Sequence, residues 1–92
     1  WLDRDATLEK MAIWTGRAAE RGCGFVAFGE ALLPGYPFWL EHTDGARFES
    51  SLQKDIHAHI LDQAVQIEAG HLARIAEAAA DHGIAVMLGT IE

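Results

Sequence analysis

The 92 residues, half of them apolar and three of them Trp, suit one small globular domain or part of one, with limited core volume. Fourteen acidic side chains against seven basic ones leave a formal net charge of −7, and the Arg and Lys residues are scattered, so neither a nucleic-acid nor an anionic-membrane surface is expected. No apolar run nears the roughly 18 residues of a membrane helix, no signal-peptide pattern opens the chain, and the single Cys23 excludes an internal disulfide or a CxxC zinc pair; a cytoplasmic protein held together by packing is the expectation.

The chain opens on Trp1 rather than Met and runs into an Asp-rich helix start with no strand before it, which points to a piece of a longer protein. From Asp5, read as the cap, Leu8, Met11, Ala12, Thr15, Ala18 and Ala19 recur at helical spacing. Gly22 is placed to end this helix. Phe25 to Phe28 then form a short continuous apolar run, the pattern of a strand buried on both faces. Gly29 and Glu30 follow. Pro34, Gly35 and Pro37 make Leu32 to Leu40 a loop, and a middle helix is expected from about Phe48 to Gln63, with Phe48, Leu52, Ile56 and His59 along one stripe. The helix, glycine, strand order then repeats. Leu72, Ile75, Ala76 and Ala79 form a helical stripe, Gly83 follows, and Ile84 to Leu88 is a second apolar run.

Two such units imply parallel neighbouring strands joined by a right-handed crossover, with ligands beyond their carboxyl ends. Glu30 closes the first strand and Glu92 follows the second, which brings two carboxylates toward one end. Glu30 is the leading candidate, because a carboxylate between a buried strand and an aromatic loop is expected to be partly desolvated, and so suited to general-base work. The alternative is a strand-end carboxylate that forms a salt bridge or faces water. Cys23, between Gly22 and the strand, is expected to pack rather than react. His57 and His59 sit two positions apart on one helix and point to different sides, and His42, His71 and His82 are scattered; no metal site is expected.

The stretch Phe25 to Trp39 reads Phe-Val-Ala-Phe-Gly-Glu-Ala-Leu-Leu-Pro-Gly-Tyr-Pro-Phe-Trp and closely resembles the segment around the catalytic glutamate of nitrilases, in the carbon-nitrogen hydrolase superfamily. Leu2 to Lys10 is similar to that family's first-helix start, and Ala78 to Glu92 to its next helix and strand. Gly29 stands where the wider superfamily commonly has proline, a variant associated with nitrilases proper.

The resemblance implies an α/β fold, part of a four-layer α-β-β-α sandwich, with residues 1–92 as the amino-terminal portion of one hydrolase domain. It implies a Glu-Lys-Cys mechanism in which a thiolate attacks the nitrile carbon, lysine stabilises the developing charge and glutamate moves protons. Of these three, the resemblance maps only the glutamate, Glu30, onto this chain; Lys10, Lys54 and Cys23 do not match the family's lysine and cysteine motifs. It further implies a nitrile or amide substrate, no cofactor, a homo-oligomeric parent, and Tyr36 and Phe38 lining the substrate pocket, against the plainer alternative that they pack the loop down. An amidase or carbamoylase is the nearest competing parent. A non-catalytic α/β binding module and a self-sufficient enzyme pairing Glu30 with Cys23 are the readings of other kinds.

Overall fold

The computed structural model describes residues 2–92. In chain order the elements are α1 (Arg4–Glu20), β1 (Phe25–Leu33), a short α2 (Trp39–His42), α3 (Ser51–Gln63), α4 (Ala73–His82) and β2 (Ala85–Thr90). The two strands pair in parallel, with Phe25 opposite Ala85 and Phe28 opposite Leu88. The fold is α/β, as the sequence implies.

Helix α1 begins two residues earlier than expected. Asp3, not Asp5, is the cap: its side chain accepts a hydrogen bond from Ala6 N at 2.9 Å and satisfies one of the amides a helix start leaves free. Gly22 and Gly83, which follow α1 and α4, both take positive φ, the left-handed conformation that closes a helix without a Cβ clash. Helix α3 starts at Ser51 rather than Phe48, because Ser50 caps it through Gln53 N. The apolar stripe expected on this helix is not its buried one: Phe48 is 89% exposed and Leu52 half exposed, while Ile60, Ala64 and Val65 are buried.

The core lies between the helices and one face of the sheet. Leu8, Met11 and Ala12 of α1 meet Ile75 and Ala78 of α4, with Leu33 and Val65 closing the ends and Phe28, Val86 and Leu88 packed beneath. Thr15 is buried in the same face, and its hydroxyl donates to the Met11 carbonyl at 2.9 Å. Arg74 of α4 reaches Glu9 of α1 at 2.9 Å, an exposed pair worth about 0–1 kcal/mol.

The other face of the sheet corrects the expectation of strands buried on both sides. Side chains alternate along a strand. Val26, Phe28, Val86 and Leu88 turn to the helices, whereas Phe25 (56% exposed), Ala27, Ala85 and Met87 (59% exposed) turn outward and are exposed. The continuous apolar run does mark a strand with two apolar faces; these residues cover one.

Candidate active site

The parallel register holds from Phe25 to Phe28 and then breaks. The next pair is Leu33 with Thr90, so β1 takes five steps where β2 takes two. The surplus is a bulge, and Glu30 sits in it. Ala31, immediately after, has φ of +50°, a left-handed value that costs a residue bearing a Cβ of order 1 kcal/mol. Bulges re-aim side chains and cluster beside functional sites. Here the bulge lifts the glutamate out of the strand alternation at the carboxyl-terminal half of the sheet.

Beyond the bulge the backbone is tied down on both sides. Leu33 is fully buried, and Pro34 and Gly35 are buried after it. The Leu33 carbonyl accepts from Ile91 N at 3.0 Å, the Ile91 carbonyl from Val65 N at 2.7 Å, and the Pro34 carbonyl from Leu2 N at 3.1 Å. The exit of α3, the end of β2 and the entry to α1 thus converge on the segment that carries Glu30.

The Glu30 side chain is exposed, and among the described residues it makes no hydrogen bond or ion pair. The desolvation expected of it is therefore not supplied here, because the loop buries its backbone rather than folding over the carboxylate. Glu92 is exposed too, and accepts a hydrogen bond from the Thr90 hydroxyl at 3.3 Å.

Tyr36 and Phe38 are half exposed, and Phe38 meets His42 edge to face with ring centroids 6.5 Å apart. Trp39 between them and α3 is buried. A cleft of about 510 Å³ between α2 and α3 takes Pro37 and Trp39 from the aromatic loop into its walls, but neither Tyr36 nor Phe38. Arg47, Lys54 and His57 line the same cleft.

Cys23 is exposed, not packed as expected; it lies between the end of α1 and the start of β1. It stands at the opposite end of β1 from Glu30, roughly 20 Å away at strand rise. Lys54 is engaged by Glu49. His59 Nε2 donates to the Leu2 carbonyl at 2.8 Å, and His71 Nδ1 accepts from Gln66 N at 3.0 Å, so both serve local structure. No three potential metal ligands converge among the described residues.

Sequence reasoning missed the bulge and its partner on β2, Gly89. The available signal was Gly89 itself, since a glycine inside a strand marks a bulge or a close backbone approach.

The family model described as carbon-nitrogen hydrolase matches residues 1–92. The chain belongs to the carbon-nitrogen hydrolase family. Curated relatives of the chain include an aliphatic nitrilase of Rhodococcus rhodochrous, 31% identical over all of this chain and 24% of that protein. An arylacetonitrilase of Aspergillus niger is 33% identical over all of the chain and 25% of its own length, and a cyanide hydratase of Botryotinia fuckeliana 32% identical over all of the chain and 24% of its own. The chain thus spans about a quarter of the length of the curated relatives it matches. No solved structure gives a significant match.

Proposed function

We propose that this chain is the amino-terminal portion of a hydrolase domain that converts a nitrile to a carboxylic acid and ammonia, with Glu30 as the general base. The carrying observation is the bulge. It sets the one carboxylate within the nitrilase-like motif outside the strand alternation, on a backbone braced by three other segments. A backbone so held fixes the point from which the carboxylate reaches, and leaves only its side chain to be ordered when it moves protons between a thiol, a water and the substrate.

The lysine and cysteine belong to other parts of the full-length protein. Lys54 is paired with Glu49 and Cys23 lies at the far end of β1, so the 92 residues by themselves are inactive, and a self-sufficient Glu30–Cys23 enzyme is not favoured. Tyr36 and Phe38 keep exposed ring surface next to Glu30 in sequence and would line the pocket of the whole domain. That domain acts in the cytoplasm as a homo-oligomer.

The test is ammonia release by the full-length protein from a panel of aliphatic and arylaliphatic nitriles, wild type against Glu30→Gln. Turnover that falls to background in a folded Glu30→Gln protein supports the assignment; turnover equal to wild type removes it. A cyanide hydratase among the relatives makes amide the second product to quantify. Amide without ammonia would move the reaction to nitrile hydration, and hydrolysis of amides in place of nitriles would move it to an amidase.

A further inference from the structure

Gly89 faces the bulge from β2. A Cβ built there would lie 2.7 Å from the Gly29 carbonyl oxygen, 2.8 Å from Glu30 Cα and 2.9 Å from Ala31 N. All three are main-chain atoms of consecutive residues, and none can swing away as a side chain does. Glu30 Cα is therefore seated directly on the Gly89 backbone. By contrast, Gly24, immediately before β1, has open space around it.

We propose that Gly89 is a positioning residue for Glu30: its missing side chain is the seat that sets how far the bulge, and with it the carboxylate, stands from β2. The inference rests on Glu30 being the general base. The bulge cannot settle deeper, because it already touches β2, and Leu33, hydrogen-bonded to Ile91, anchors its far end. Any side chain at 89 lifts the bulge outward, by about 0.6 Å at Glu30 Cα, the difference between 2.8 Å and the 3.4 Å at which ordinary contact begins. A displacement approaching 1 Å in a catalytic group is enough to cost about 10²-fold in rate. Glycine at 89 thus acts on the chemical step rather than on substrate affinity.

The experiment compares wild type, Gly89→Ala, Gly24→Ala and Glu30→Gln in the full-length protein, by kcat and KM on the best nitrile substrate and by crystal structures of Gly89→Ala and wild type. The expected result for Gly89→Ala is a kcat reduced about 10- to 10²-fold with KM within about threefold, and Glu30 displaced outward in the crystal; Gly24→Ala stays near wild type. Should Gly89→Ala fail to fold, Ala31→Val takes its place, since a β-branched residue at φ +50° disturbs the bulge from the β1 side and is expected to give the same kcat-selective loss. A folded Gly89→Ala with wild-type kcat, or with Glu30 unmoved, overturns the inference. So does a loss in KM alone, or failure of both variants to fold, which would make the glycine a matter of stability only. An active Glu30→Gln variant instead defeats the catalytic reading of Glu30, and the positioning role with it; an inactive one beside a fully active Gly89→Ala defeats the positioning role alone.

Discussion

A methyl group at Gly16 would sit 2.8 Å from His82 Nε2, as close as one at Gly89 would sit to the bulge, yet the consequence is opposite. His82 is an exposed ring that rotates aside, and alanine in a helix interior is favoured over glycine by about 1 kcal/mol. Gly16→Ala is therefore expected to leave stability unchanged or raise it by about 0.5–1 kcal/mol in urea unfolding. Met11, 2% exposed at the centre of the core, has no such freedom. Met11→Ala is expected to cost about 2–5 kcal/mol, a large part of what holds a chain this small together. Glu30 lies at the other extreme, since its carboxylate holds nothing in place. Glu30→Gln should change the unfolding free energy measured in urea by less than about 0.5 kcal/mol, so that lost turnover in that variant reports chemistry and not unfolding.

At the scale of elements, α3 is moored by its carboxyl-terminal end. The Arg4 guanidinium donates to the carbonyls of Asp62 and Ala64, at 3.4 and 3.2 Å, where the helix dipole is negative, and the Arg4 amide donates to Gln63 Oε1 at 2.9 Å. Arg4→Met, which keeps the stem and removes the donors, should lower stability by about 1–3 kcal/mol and speed amide exchange in α3 more than in α1 or α4; uniform exchange across the helices would contradict this mooring. Legibility in the sequence follows the same division. Helices α1 and α4, the glycines that end them and the parallel pair were readable, because periodicity and stop signals are local. The cap was misplaced by two residues because Asp3 and Asp5 are equally good caps and only the Gln63 and Leu2 contacts favour the earlier start. The start of α3 was misread because Phe48 continues the period that Ser50 in fact caps. Register is a property of two strands, so no reading of β1 alone could find three surplus residues around Glu30. The site residue itself was legible in its motif, whereas its exposure was not, because exposure depends on what covers it.

For the whole molecule, the radius of gyration is 15.2 Å, against about 12 Å for a compact chain of this length, and the extents of 48 × 26 × 16 Å are those of a slab. One broad side is the outward sheet face, with Phe25, Ala27, Ala85 and Met87 open to water. The 92-residue chain alone is expected to self-associate as its concentration rises in sedimentation velocity, and Phe25→Lys with Met87→Lys to reduce that association without unfolding the helices. A wild-type chain that sediments as a monomer at all concentrations would contradict the prediction. None of the described helices is long and apolar enough to cross a membrane. The brace that joins the end of β1, the end of β2 and the exit of α3, Val65 N to the Ile91 carbonyl and Ile91 N to the Leu33 carbonyl, is main chain throughout. Its donors are therefore indifferent to which side chains stand at positions 33, 65 and 91, and it is core packing alone that constrains Leu33 and Val65. Proline is the substitution that reaches it: by deleting an amide at 65 or 91 it cuts the brace outright.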